Sequence, residues 1–218
     1  MLKKLTEDKI AEILETGIIE FSRLGLDRAN TNEIAKKAGI SVGVLFKYWK
    51  DKEAFFLACV DRSLAVLESV LAEALSRDEK ILVRAERMIR AVQKTSREHV
   101  NYINLYNEIT AGASKKYARV LAEKIEGITA RTYSALIAEA QAEGILRADA
   151  DPRMFAFFFD NLLMMMQFSY SCEYYNERFK IYCGEDVLDQ DERVVSQLLL
   201  FLESAFTFTR AEVPHGKG

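Results

Sequence analysis

Apolar residues recur at helical spacing along almost the whole chain. Near the start, Ile10, Ile13, Leu14, Ile18 and Phe21 fall on one face of a helix, and similar patterns follow towards the carboxyl end. The 218 residues include only two prolines and ten glycines, too few for a sandwich or barrel that depends on many tight turns. Half of the residues are hydrophobic, which is ample for a buried core. The sequence therefore predicts an all-α protein.

Capping residues and glycines divide this pattern into about nine predicted helices. Asn30, Ser41 and Asp51 are placed to cap the second, third and fourth helices, and Pro152 opens the eighth. The eighth helix is apolar nearly all round, which requires burial by neighbouring helices or by a second subunit. The predicted helices are Ile10 to Gly25, Thr31 to Gly39, Val42 to Trp49, Asp51 to Leu71, Ile81 to Thr95, Val100 to Ala111, Ser114 to Glu143, Pro152 to Tyr175 and Asp191 to Phe208, with a polar loop from Asn176 to Asp189.

The charge is divided unevenly between the two parts of the chain. Residues 1–52 carry a formal net charge of +2, and the remainder carries −5, within a total of −3. A mildly basic amino-terminal part on an acidic body is expected when only one end of a protein meets phosphate groups. The distribution is therefore compatible with nucleic-acid binding, although the total charge taken alone argues against it.

Two short predicted helices joined by a tight turn occupy residues 31–49. Gly39 supplies the turn, and Ser41 is placed to cap the second helix. Such a unit is typical of a helix-turn-helix, which lays its second helix in the major groove of DNA. The candidates for its small core are Ile34, Ala35, Ile40, Leu45 and Phe46.

The run from Ile10 to Phe56 resembles the DNA-binding domain of the TetR (tetracycline repressor) family. The resemblance implies a three-helix DNA-binding head, a helical ligand-binding body, and a homodimer formed largely through the last two helices. Beyond this segment only the helix count and the Gly144 turn are similar. The matched features are Glu20-Phe21, Gly25, Thr31, Glu33-Ile34-Ala35, Ala38-Gly39-Ile40-Ser41, Gly43, Leu45-Phe46, Tyr48-Trp49 and Lys52-Glu53.

The resemblance assigns DNA contacts to particular residues of this chain. Val42 stands where Lys or Arg is more usual in the family, and Val44 stands where Thr or Ser is more usual. We therefore expect the valines to make apolar contact with a thymine methyl group. Lys47 is expected to contact guanine or phosphate. An ordinary solvated lysine face is the alternative, and Trp49 is assigned to packing. The predicted base or backbone contacts are Val42, Gly43, Val44 and Lys47, with Ser41 as the cap; the predicted phosphate contacts are Thr31, Tyr48 and Lys52.

The body contains candidates for a ligand pocket and for a dimer interface. Aromatic and methionine side chains with a few hydroxyl groups suit a mostly apolar ligand site, although the same stripe also suits a core. More apolar surface remains on the last two predicted helices than one helical layer can cover. The pocket candidates are Met88, Tyr102, Tyr106, Tyr133, Ile137, Phe158, Leu162, Met165, Met166 and Tyr170; the dimer candidates are Phe155, Phe159, Leu163, Leu198, Phe201 and Leu202.

Several other classes of protein fit the sequence poorly. His99 and His215 do not stand at catalytic or metal-ligand spacing from Cys, Asp or Glu, so no enzyme, metal or cofactor is predicted. Three cysteines without close spacing indicate a reducing compartment. The first residues lack the hydrophobic run of a signal peptide, and the stretch from Met154 to Tyr170 is read as a buried helix.

The sequence therefore predicts a cytoplasmic, ligand-responsive transcriptional repressor that binds a palindromic DNA operator as a homodimer. Its effector is expected to be a small, largely hydrophobic molecule. The predicted domains are a DNA-binding head at residues 1–52, a ligand-binding and dimerisation body at 53–210 and a flexible tail at 211–218. A helical protein that binds lipid or another hydrophobic ligand without DNA is the alternative.

Overall fold

The computed structural model describes residues 5–75, 80–111 and 117–207, without the side chains of Phe206 and Thr207. All regular elements in these ranges are helical, which confirms the predicted all-α class. The predicted tail, with His215, lies outside the described residues, as do Ser114 and Phe208. The helices are α1 (Glu7–Arg28), α2 (Thr31–Lys37), α3 (Val42–Tyr48), α4 (Lys52–Leu75), α5 (Ile81–Glu98), α6 (Val100–Thr110), α7 (Ala118–Ala142), α8 (Pro152–Ser171), α9 (Glu173–Cys183) and α10 (Asp191–Thr207).

The described residues form ten helices rather than nine, and the difference lies after α8. The predicted eighth helix was too long by four residues, because Cys172 adopts an extended conformation and ends α8 at Ser171. The predicted polar loop was also wrong, since most of it forms α9. This short helix buries none of its residues. Tyr175 and Phe179, four residues apart, are half-buried against Phe168 and Tyr170 of α8, but two rings among polar residues are too weak an apolar pattern to indicate a helix.

Side-chain caps begin the short helices where the sequence places them. The Asn30 side chain accepts a hydrogen bond from the backbone N–H of Asn32, and the Ser41 hydroxyl accepts one from Val44. These bonds satisfy N–H groups that have no partner within the first turn of a helix. Asp51 and Asp151 cap α4 and α8 in the same way. Local sequence signals therefore set the helix starts in this part of the fold.

The amino-terminal helices and the body share one continuous core. Phe21 of α1, Leu45 of α3 and Phe55 of α4 pack in the same buried cluster as Tyr102 and Leu105 of α6. A second cluster joins α5, α7, α8 and α10. Because α4 and α6 complete the core of the head, packing does not stop at residue 52, where the sequence predicts the domain boundary.

A carboxylate reinforces the junction between α1, α4 and α6. Glu15 Oε1 accepts hydrogen bonds from Arg62 Nε at 2.6 Å and from the Tyr102 hydroxyl at 2.5 Å. Burial and the neighbouring Glu15 raise the pKa of Tyr102 to about 12. The tyrosine therefore stays protonated and donates this hydrogen bond at neutral pH.

Helix α8 is half-buried rather than enclosed on most sides. Phe159, Leu163 and Met166 face the interior, whereas Met154, Phe157 and Phe158 lie on the surface. The prediction that this apolar stretch is a buried helix therefore holds for one face within the chain. Among the described helices, none is both long and apolar enough to span a membrane.

Gly25 interrupts α1 three residues before its end. Its backbone has φ 68° and ψ 171°, a combination that is essentially restricted to glycine. A Cβ atom at this position would lie 2.4 Å from Glu108 Oε1 of α6. The sequence places the end of the first helix at Gly25, whereas the helical turn resumes and continues to Arg28.

We expect Gly25→Ala to lower the free energy of unfolding by about 1–3 kcal/mol, because it combines backbone strain with the contact to Glu108. Gly127→Ala is the matched control within α7, where a Cβ atom would meet only the flexible end of Arg131, at 3.4 Å. This control should gain up to about 1 kcal/mol of helix stability. Urea unfolding followed by circular dichroism measures both changes, and equal stability of Gly25→Ala and wild type would contradict the prediction.

Candidate DNA-binding surface and ligand cavity

Helix α3 presents most of its side chains to solvent. Leu45 is its one buried residue and packs with Ile34 and Ala35 of α2 in the core of the head. Gly43 and Lys47 are exposed, one turn apart. The two helices thus form a helix-turn-helix whose second helix has an open outer face.

Phe46 lies on this outer face, which corrects its predicted place in the core. Its side chain is 38% exposed, between Gly43 and Lys47 on the surface. Residues three and four apart share a face of a helix, so Gly43, Phe46 and Lys47 form one exposed group. The sequence analysis missed Phe46 as a candidate DNA contact because an aromatic residue in a short helix usually indicates packing.

The other predicted base-contacting residues are less accessible. Val42 is half-buried against the core of the head, and Val44 is also half-buried. Ser41 caps α3 through its hydroxyl group. These three residues therefore border the exposed group rather than forming its centre.

Two of the predicted phosphate contacts already have partners within the chain. The Tyr48 hydroxyl accepts a hydrogen bond from the backbone N–H of Leu5 at 2.6 Å, and Lys52 Nζ donates to the Asp27 carbonyl at 2.9 Å. Thr31 is half-buried at the start of α2. Trp49 packs on Phe55 with ring centroids 4.9 Å apart, in keeping with its assignment to packing.

A cavity of about 140 Å³ lies within the body, between α4, α5, α6, α7 and α8. Four of the ten predicted pocket residues line it: Met88, Tyr102, Tyr106 and Tyr133. Leu163, predicted for the dimer interface, also lines it. Side chains of α4 from Val60 to Ala74 form one wall. The cavity therefore touches the helix that leads out of the DNA-binding head.

The remaining six predicted pocket residues do not line this cavity. On α8 the lining residues are Asp160, Leu163, Met164 and Gln167, which share one face at spacings of three and four. Leu162, Met165, Met166 and Tyr170 lie off that face, and Phe158 is 53% exposed. Ile137 of α7 instead borders a separate, much smaller apolar space beside Met88 and Tyr133.

The acidic side chains of the cavity, Glu68, Glu126 and Asp160, are lining residues that sequence reasoning missed. The Tyr106 hydroxyl donates a hydrogen bond to Glu126 Oε1 at 2.7 Å. Burial, with a contribution from the charge of Glu126, raises the pKa of Asp160 to about 6, whereas a hydrogen bond with Thr129 acts in the opposite direction. Burial also raises the pKa of Tyr106 and of Tyr133. An aspartate within the apolar sequence of α8 was the available signal.

Half of the predicted dimer residues are buried within their own chain. Phe159 packs edge-on against Tyr133, with ring centroids 5.3 Å apart, and Leu163 and Leu202 lie in the same core cluster. Phe155 and Leu198 are half-buried, and Phe201 is 58% exposed. The exposed apolar side chains of α8 and α10 are Met154, Phe157, Phe158, Leu200 and Phe201.

Sequence comparison places the similarity in the head. Residues 13–59 match the sequence model of the bacterial regulatory proteins of the tetR family. The uncharacterized HTH-type transcriptional regulator YvdT of Bacillus subtilis (strain 168) is 35% identical over 63 residues, which cover 29% of this chain. The matched segment covers 32% of YvdT, so the chain spans about a third of the length of this curated relative.

Solved structures extend the similarity to the whole fold. A TetR family transcriptional regulator from Chloroflexus aurantiacus has a TM-score of 0.68 at 17% identity, over 94% of this chain and 96% of that chain. AibR, solved in complex with isovaleryl coenzyme A and operator DNA, has a TM-score of 0.65 at 15% identity, over 88% of this chain and 97% of that chain. The helix-turn-helix segment therefore matches the sequence model of the tetR family, and the chain as a whole shares its fold with solved TetR-family regulators.

Proposed function

We propose that the chain is a cytoplasmic, ligand-responsive repressor of transcription. It binds a palindromic operator as a homodimer and releases the DNA when a small, largely hydrophobic effector fills the cavity. Residues 1–52 serve as the DNA-binding domain, and residues 53–210 serve for ligand binding and dimerisation. The observation that carries the proposal is that α4 belongs to the core of the helix-turn-helix and also forms a wall of the cavity.

The outer face of α3 suits the major groove of DNA. A Cβ atom on Gly43 would meet nothing closer than the Ser41 hydroxyl at 3.9 Å, so packing within the chain does not require glycine there. A glycine on an exposed helix permits a close approach of another backbone. Phe46 offers an apolar surface for a thymine methyl group, and Lys47 offers a cation for guanine or phosphate.

The exposed apolar side chains of α8 and α10 support a homodimer. Phe157 and Phe201 are among five large apolar residues exposed on these two helices. Such a surface is rarely left open to water on a soluble monomer. A two-fold pair of chains would cover it and would present two recognition helices to a palindromic site.

The shared core gives the effector a route to the DNA-binding head. Val60 of α4 and Tyr102 of α6 both line the cavity and belong to the core of the head. A ligand that binds two positions of these helices unequally would shift the population of DNA-binding chains. AibR, solved in complex with isovaleryl coenzyme A and operator DNA, supports the proposal that a protein of this fold holds both a small molecule and DNA.

We expect Lys47→Ala to weaken binding to DNA from upstream of the protein's own gene several-fold. It should also reduce the slope of log affinity against log salt concentration by about one. Lys94→Ala is the matched control, because Lys94 is exposed on α5 in the body. Fluorescence anisotropy over a series of salt concentrations measures both effects. If the wild type shows no salt-sensitive binding to DNA, or if Lys47→Ala binds DNA as tightly as the wild type, the lipid-binding alternative is favoured.

We expect the double substitution Phe157→Glu and Phe201→Glu to convert the dimer into a monomer, since burying an unpaired carboxylate costs more than the roughly 2–7 kcal/mol of an unpaired neutral polar group. Ile19→Glu is the control, because Ile19 is an exposed apolar residue of the head. Sedimentation velocity measures the oligomeric state of each protein. A monomeric wild type, or a double variant that stays dimeric, would rule out this interface.

A further inference from the structure

The wall of the cavity carries negative charge without a basic partner. Its lining includes Glu68, Glu126 and Asp160, and none of the described residues that line it is Lys, Arg or His. Glu126 and Asp160 are close enough for the charge of one to raise the pKa of the other. A pair of partly buried carboxylates is costly unless it is protonated or meets a cation.

A second observation points to a ligand in the same cavity. Ser96 is 1% exposed and lines the cavity, and its hydroxyl oxygen has no hydrogen-bond partner within the described chain. Buried hydroxyl groups normally have a partner, so an unpaired one is exceptional. A polar group on a bound molecule would provide the missing hydrogen bond.

The rest of the wall suits an apolar body attached to a cation. The rings of Tyr102, Tyr106 and Tyr133 line the cavity together with Met88 and Met164. Aromatic faces attract cations, and methionine adapts to ligands of varied shape. The volume of about 140 Å³ is close to that of an apolar cavity of roughly 150 Å³ that accommodates benzene.

We propose that the effector is a lipophilic cation, such as an amine bearing an aromatic or branched apolar group, whose charge lies beside Glu126 and Asp160. This inference rests on the proposed function in that it takes the cavity to be the effector site. It also separates this chain from AibR, which binds isovaleryl coenzyme A. The phosphate groups of a coenzyme A thioester would be repelled by carboxylates that no basic side chain balances.

Calorimetric titration with three molecules of similar size isolates the contribution of charge. Benzylammonium, benzyl alcohol and benzoate share one ring and differ mainly in charge. At about pH 7.5, where benzylamine is protonated, we expect benzylammonium to bind at least about tenfold more tightly than the other two. Equal or tighter binding of benzyl alcohol or benzoate, or no binding of benzylammonium at millimolar concentration, would overturn the proposal.

Variants of the two carboxylates test whether they cause this preference. The double substitution Glu126→Gln and Asp160→Asn should bring benzylammonium to within about twofold of benzyl alcohol, while benzyl alcohol keeps its affinity. Glu123→Gln is the control on the same helix, because Glu123 is exposed and pairs with Arg119. Thermal unfolding confirms that each variant is folded, and Asp160→Asn alone serves if the double variant is not. If the variants still prefer benzylammonium to benzyl alcohol, Glu126 and Asp160 do not cause the preference.

The titrations contain no DNA, so the two proposals fail separately. Loss of salt-sensitive DNA binding would refute the repressor while leaving the charge preference of the cavity intact. Loss of the charge preference, with DNA binding preserved, would refute only the cationic effector.

We expect the affinity for benzylammonium to fall as the pH is lowered from about 8 to about 5. Asp160 has a pKa raised to about 6, so its negative charge is lost across this range while benzylamine stays protonated. The other titratable groups that line the same cavity are Glu126 and Tyr133 of α7, Tyr102 and Tyr106 of α6 and Glu68 of α4. Asp160→Asn should have a flatter pH profile, and an identical profile for variant and wild type would contradict the role of this carboxylate.

Discussion

Glu15 joins the three helices on which the rest of the molecule depends. Its carboxylate accepts hydrogen bonds from Arg62 of α4 and Tyr102 of α6, and the helix that carries it forms the centre of the head. Tyr102 also lines the cavity. Because a charged acceptor strengthens both hydrogen bonds, they tie α6 at the cavity to α1 in the head. The cavity and the core of the head therefore meet at one set of side chains rather than across a linker.

Local chemistry explains why the head was predictable from the sequence. Asn30 and Ser41 cap α2 and α3 through hydrogen bonds that span only two or three residues. The turn at Gly39 likewise has a positive φ that favours glycine. In α9, by contrast, no residue is buried. Its half-buried rings, Tyr175 and Phe179, pack on α8, but the polar residues around them led to the prediction of a loop.

The lining of the cavity depends on the rotation of α8, which its sequence does not fix. Apolar residues surround this helix, so the pattern cannot tell whether Phe158 or Met164 faces inward. The structure selects the face of Asp160 and Met164 and turns Phe158 outward. Packing against α7 and α5 sets this rotation, and such contacts are distant in the chain. Tyr106 and Tyr133, by contrast, are buried and line the cavity, as their places on the apolar faces of α6 and α7 predict.

The single fully buried residue of α3 bears on how freely its surface can change in sequence. Leu45 is buried in the core and Val42 packs against it, whereas Gly43, Phe46 and Lys47 are exposed. Surface substitutions of this type usually change stability by no more than about 0.5 kcal/mol. The outer face of this helix could therefore change in sequence through a few mutations without compensating changes elsewhere. The wall of the cavity is more constrained, because Val60 and Tyr102 line it and also belong to the core of the head.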